Sequence, residues 1–302
     1  MTNHNHGNKD MRSKNILYVS ILNISFTIIE IIGGILTNSV AILSDALHDL
    51  GDSIALITSY IAEKQAKRPA DRKRTFGYAR ISVFSAVFNA VVLIVGSIFI
   101  LLEAIKRFAE PEPVQALGMI GIAVFGVLVN TLAYMRIRKG LSANESILSW
   151  HLLEDVIGWV AVLVGALVIH VTDFYIIDSI LTIVYTLFIL FGVIKSLINV
   201  GNILMQGVPG HINVEKIKQD LQSVPAILRV HDIHIWSLDG ETGIFSGHIV
   251  VDNESIENPD NIRDLARIAL AKHHIEHSTI EIESTTSCSG IECDFGKSDI
   301  KR

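Results

Sequence analysis

Two segments of this 302-residue chain set an imidazole and a carboxylate four positions apart: His48-Asp49-Leu50-Gly51-Asp52 and His151-Leu152-Leu153-Glu154-Asp155. Residues i and i+4 lie one turn apart on a single helix face, so each segment offers a nitrogen and an oxygen donor side by side. Two such helices packed face to face would supply two nitrogens and two oxygens, the four-donor set of a tetrahedral Zn2+, with two carboxylates to balance its charge. Spacing leaves a choice open in the first segment. Asp45, His48, Asp49 and Asp52 share one stripe, so Asp45/Asp49 rivals His48/Asp52 as the ligand pair. Asp45 and Glu154 fit better as acceptors behind the ligands or as groups on a proton path. Without metal, the same residues would pair with one another or line a proton route. One spacing repeated on two separate segments favours the metal.

The elements that must position these residues are long and apolar. Half the residues are apolar and 19% charged, with a mean hydropathy of +0.44, which describes a membrane protein. A crossing helix needs about 20 apolar residues. Six segments qualify: 16–36, 40–62, 81–102, 114–135, 147–170 and 175–200. The fourth has no charged residue, whereas the second and fifth carry the His-x-x-x-Asp pairs. A charged group at a helix centre costs roughly 2.5–3.5 kcal/mol on insertion scales, so these groups need a function to be there. The first apolar run is long enough to stay in the bilayer and no small-residue cleavage site follows, so no signal peptide is expected.

Loop charges give the orientation. Lys9, Arg12 and Lys14 precede the first span, Lys64, Lys67, Arg68, Arg72, Lys73 and Arg74 follow the second, and Arg136, Arg138 and Lys139 follow the fourth. The opposite loops set Lys106 and Arg107 against Glu110, Glu112 and Asp173. Positive charge on one side predicts both termini in the cytoplasm. The expected organisation is an N-terminal arm (1–14), a six-helix transport domain (15–207), a cytoplasmic domain (208–285) and a tail (286–302).

Residues 209–302 hold 16 acidic and 9 basic side chains. That acidic surface argues against nucleic-acid binding. Helical spacing at 213–222 and 261–273, strand patterns at 228–238, 243–251 and 279–283, and a hairpin turn at Asp239-Gly240 predict the order αββαβ, a small ferredoxin-like α+β domain. The fold class is thus a polytopic α-helical membrane protein with a cytoplasmic ferredoxin-like domain. Cys288 and Cys293 are the two cysteines of the chain, which excludes a disulfide-stapled fold and points to thiols or metal ligands. His231 and His248 face each other across the expected hairpin, and Glu283 on the last strand would complete a nitrogen-rich site.

Four stretches carry a family resemblance: Asn38-Ser39-Val40-Ala41-Ile42-Leu43-Ser44-Asp45-Ala46-Leu47-His48, Thr75-Phe76-Gly77-Tyr78-Ala79-Arg80, the second His-x-x-x-Asp, and Val230-His231-Asp232-Ile233-His234-Ile235-Trp236. In this order, across residues 15–285, the chain resembles the cation diffusion facilitators, in particular their zinc/cadmium/cobalt branch, which includes the vesicular zinc transporters. The resemblance implies a homodimer in the lipid bilayer that exports divalent metal in exchange for protons. It places the family motif on His48, Asp52, His151 and Asp155, choosing His48/Asp52 over its rival. Histidine there, where manganese and iron relatives tend to use oxygen ligands, implies Zn2+ with Cd2+ or Co2+ tolerated; a manganese or iron exporter is the alternative, and a membrane-anchored metal sensor a more distant one. It also implies that cytoplasmic zinc is held by His231, His248 and Glu283, joined by counterparts of further ligands in His4, His6, His277, Cys288 and Cys293. Four residues separate the cysteines, wider than the usual C-x-x-C. Residues 136–145 lack the His-rich loop of eukaryotic members, so the chain looks more like a bacterial exporter.

Overall fold

A computed structural model describes residues 23–137, 143–254, 256 and 258–285. Two compact units emerge: one from the described residues up to Ile61 together with Ser85–Ser196, the other from Ala62–Phe84 together with the described residues from Leu197 onward.

The first unit is helical. Helix α1 (Asn23–Thr37) is followed by α2 (Val40–Ala66), α3 (Ile81–Ala109), α4 (Ala116–Ile137), α5 (Ala143–Thr172) and α6 (Ile176–Leu204). By length and composition four of these, α3 to α6, are apolar enough to cross a membrane. α2 is long enough, at 27 residues, but carries Asp45, Asp49 and Asp52. α3 runs past the expected end at Leu102 to Ala109 because Glu103, Lys106 and Arg107 are good helix formers and no breaker intervenes before Pro111. Large side chains on α3 and α6, among them Phe88, Phe99, Phe188 and Phe191, are exposed, as suits a surface solvated by lipid.

Inside, Phe26, Ile42, Met119, Trp159 and Ile169 form the core. Gly126 lies under the Trp159 indole, where any Cβ would collide with the ring, so a small residue lets α4 and α5 approach closely. The chain turns between α1 and α2 at Asn38, whose φ is +54°, a conformation asparagine tolerates. Arg107 holds that turn, donating to the Asn38 carbonyl at 2.7 Å and to its Oδ1 at 2.9 Å. Asp178 of α6 anchors the start of α2. It accepts from Ser39 Oγ at 2.6 Å, Val40 N at 2.8 Å and Ala41 N at 3.4 Å, satisfying backbone donors that a helix N-terminus leaves open.

In the second unit, α7 (Val214–Gln222), β1 (Ile227–Ser237), β2 (Gly243–Val251), α8 (Pro259–Ala271) and β3 (Ile275–Ser284) follow the expected αββαβ order. The sheet order is β1-β2-β3, antiparallel for the first pair and parallel for the second. Ile217, Leu221, Ile235, Phe245, Ile249 and Leu270 fill its core. Asn213 caps α7 by accepting from Lys216 N at 3.0 Å. In the hairpin turn Gly240 takes φ +98°, and Asp239 Oδ1 accepts from Thr242 N at 2.7 Å.

In this unit two elements, β3 and α8, depart most from the sequence expectation. β3 starts at Ile275 rather than 279, because Ile275, His277 and Ser278 pair with Gly243, Ile244 and Phe245; ladder hydrogen bonds, not hydrophobic alternation, set that end. α8 starts at Pro259, a residue favoured in the first helical turn. It ends at Ala271, leaving His273 to reach Asp220 of α7 at 2.7 Å.

Candidate metal site

Because α2 and α5 are regular helices, each His-x-x-x-Asp pair falls on one face as the spacing requires. His48 Nε2 lies 3.7 Å from Asp52 Oδ2, and His151 Nε2 lies 3.9 Å from Asp155 Oδ2. The two helices meet through Asp52, whose Oδ2 is 2.9 Å from His151 Nε2. The imidazole rings stand edge to face at 5.7 Å. Donor atoms of His48, His151 and Asp155 all lie within 4.8 Å of one another. Ligand atoms around a tetrahedral zinc with bonds of 2.0–2.1 Å are separated by about 3.3 Å, so these three would have to draw closer to hold an ion, and Asp52 joins the group through its contacts with His48 and His151. His48 Nδ1 is buried and makes no hydrogen bond among the described residues.

The sequence left Asp49 as a rival of Asp52. Asp49 is buried, but it is Asp52 that reaches across to His151. Close packing of α3 fixes this side of α2: Gly51 lies against Leu93, and Gly96 against Leu47. Asp45 is buried and shares the cavity wall with Tyr185. Tyr185 in turn sets its ring edge-on to His48 at 6.3 Å. Asp45, His48, Glu154, Asp155 and Tyr185 line a cavity of about 370 Å³ whose remaining walls are mostly apolar, among them Ala161 and Phe188. Water or a hydrated ion in this cavity would meet His48 and Asp155 of the donor set on its wall.

A second cluster occupies the sheet. His231 and His248 are direct partners in the β1–β2 register, with rings 5.1 Å apart. Glu283 bridges them, Oε2 at 3.3 Å from His231 Nε2 and Oε1 at 2.8 Å from His248 Nδ1. A register shift between His231 and His234, with Asp232 at φ +51°, brings Asp232 Oδ2 to 3.5 Å from His248 Nε2. His234 pairs with Asp232 at 2.9 Å. His277 lies elsewhere on β3, opposite Ile244 where His248 is opposite Glu281, and packs edge-on against Phe76 at 5.6 Å. His4, His6, Cys288 and Cys293 lie outside the described residues.

Sequence reasoning passed over four groups. Asp178 and Tyr185 sit in an apolar span without a repeated spacing to mark them. Asp232 depends on a bulge that alternation does not reveal. Glu30 is the one carboxylate in the first span, and that isolation was the available signal.

Half-buried imidazoles beside buried and half-buried carboxylates on opposed helices of an apolar bundle, joined to a small αββαβ domain, define a polytopic membrane protein that handles ions. Residues 16–205 match the cation efflux transmembrane domain, and residues 209–285 match the cytoplasmic domain of cation efflux proteins. The chain belongs to the cation efflux family. It is 32% identical to the cation efflux system protein CzcD of Alcaligenes sp. (strain CT14), over 93% of this chain and 89% of that one. It is 35% identical to the cadmium, cobalt and zinc/H(+)-K(+) antiporter of Bacillus subtilis, over 93% and 91%. Identity to the zinc transporter ZitB of Escherichia coli K12 is 32%, over 94% and 91%.

Proposed function

We propose that this protein exports Zn2+, with Cd2+ and Co2+ as further substrates, from the cytoplasm in exchange for protons, binding the ion between His48, Asp52, His151 and Asp155. The observation that carries this reading is the bridge from Asp52 to His151, which joins the two His-x-x-x-Asp pairs into one donor set. Binding needs neutral imidazoles and ionised carboxylates, so loading zinc expels protons and protonation favours its release. Histidine, whose ordinary titration range straddles neutral pH, makes His48 and His151 the proton carriers of the ligand set. Exposing the site first to one side and then to the other completes the exchange.

In this reading all six helices α1 to α6 cross the bilayer of a bacterial cell, with both termini in the cytoplasm. An N-terminal arm (1–14), transport domain (15–207), cytoplasmic domain (208–285) and tail (286–302) divide the chain. Two copies associate through their C-terminal domains and membrane helices. His231, His248 and Glu283 form a cytoplasmic zinc site that biases this dimer, and the 2.8–3.3 Å reach of Glu283 to both imidazoles supports it. His277, Cys288, Cys293, His4 and His6 belong to a further cytoplasmic site.

The test is zinc flux into liposomes containing the purified protein under an imposed pH gradient. The parent protein accumulates Zn2+, and Asp52→Ala or Asp155→Ala stops it. Full transport by both alanine variants refutes the site.

A further inference from the structure

We propose that Glu30 on α1 is a separate proton-carrying site, whose carboxyl gives up its proton when a divalent cation occupies the His48/Asp52/His151/Asp155 site and regains one when the cation leaves. The inference rests on the transport reading and extends it to a group outside the ligand set.

Glu30 is fully buried, at 0% exposure. Neither carboxylate oxygen has a hydrogen-bond partner among the described residues. Thr27, one turn earlier, turns its hydroxyl to the Asn23 carbonyl at 2.9 Å instead. The charged groups whose fields reach Glu30 are Asp49 and Asp45 of α2 and Asp155 of α5. All three are acidic, and no Lys, Arg or His is among them. On α5 the Trp159 ring packs against Phe26, one turn before Glu30, at 5.4 Å, and its indole N–H is also buried and without a partner among the described residues.

An ionised carboxylate in this position is desolvated, unpaired and repelled by like charges, the combination that buried charges avoid. A proton on Glu30 removes the charge, and with it the repulsion and the greater part of the desolvation cost. A dication held by Asp155 and its partners changes the balance, since two positive charges offset the field that Asp155 and the α2 carboxylates exert on α1. The relation is reciprocal: if bound metal favours loss of the Glu30 proton, a proton on Glu30 favours departure of the metal. Glu30 is not in the cluster of donor atoms formed by His48, His151 and Asp155, so it counts protons without being one of those donors.

The experiment measures protons released per Zn2+ bound by the purified full-length protein in weakly buffered detergent solution, together with zinc affinity across pH. Glu30→Gln, equal in shape and unable to ionise, is expected to bind zinc and to release fewer protons, by up to about one per ion. Its log Kd should change less steeply with pH by the same amount. Glu30→Asp should restore the parent count. Independently of any variant, infrared difference spectra of parent protein labelled with 13C-glutamate should lose a protonated-carboxyl band on zinc addition. An unchanged proton count in Glu30→Gln overturns the proposal, as does loss of zinc binding in a folded Glu30→Gln protein, a change that follows potassium rather than pH, or persistence of the carboxyl band. Failure of the underlying reading looks different: Asp52→Ala would then bind zinc as the parent does, whatever happens at position 30.

Discussion

Replacing Asp178 with alanine removes the acceptor that holds the first turn of α2. Ser39, Val40 and Asp178 are exposed by 0%, 1% and 2%, so no water replaces the lost carboxylate. The Ser39 hydroxyl and the Val40 N–H, bonded at 2.6 and 2.8 Å, are left without that partner. A buried donor deprived of its partner costs about 1–3 kcal/mol, which gives about 2–6 kcal/mol for the two. Asp178→Asn keeps one carbonyl oxygen and loses the charge, and its cost falls to about 1–3 kcal/mol. His48 lies nine residues beyond Ser39, about 13 Å along the helix at 1.5 Å per residue, so a frayed start of α2 loosens the metal donors as well as the fold. Unfolding of the purified protein in detergent, followed by tryptophan fluorescence, measures the stability loss, and liposome zinc flux measures the functional one. The expected order is parent above Asp178→Asn above Asp178→Ala in both. Combining Asp178→Ala with Ser39→Ala should cost less than the sum of the separate changes, because the two side chains share one bond. An Asp178→Ala protein within about 0.5 kcal/mol of the parent, the range of an inconsequential surface change, would refute the reasoning.

His48→Asp converts the two-nitrogen site to one nitrogen and three oxygens, and should broaden transport toward Mn2+ in a metal competition assay while weakening zinc. At the sheet cluster, chelation of zinc should lower the melting temperature of the full-length protein, and Glu283→Ala or His248→Ala should diminish that zinc-dependent difference. In the exposed turn after α2, the Tyr78 hydroxyl donates to Asp71 at 2.6 Å, and with the Arg74 and Lys73 amides this holds the Asp71 carboxyl below the ordinary aspartate range. A lowered folded-state value means that the turn is fully stabilised above the ordinary aspartate pKa and loses that support as pH falls through the lowered one. Carboxyl NMR titration should place the Asp71 midpoint below that of an unstructured aspartate, and Tyr78→Phe should raise it.

The local sequence carries what depends on local periodicity. Apolar length marked the helical segments, i and i+4 spacing put His48 with Asp52 and His151 with Asp155, and alternation with a turn at Asp239-Gly240 gave the αββαβ order. Those properties need only the geometry of one helix or strand. Which carboxylate on the α2 stripe meets His151 depends on how α2 is rotated against α5, and the Gly51 and Gly96 contacts with α3 that accompany that rotation lie far apart in sequence. The same holds for Asp178 at the start of α2, His273 on Asp220 and Asp232 beside His248, each a pairing between elements or across a bulge. Glu30 is the clearest case: its residue type was visible in the first span, but only packing buried it and left its oxygens without hydrogen-bond partners among the described residues.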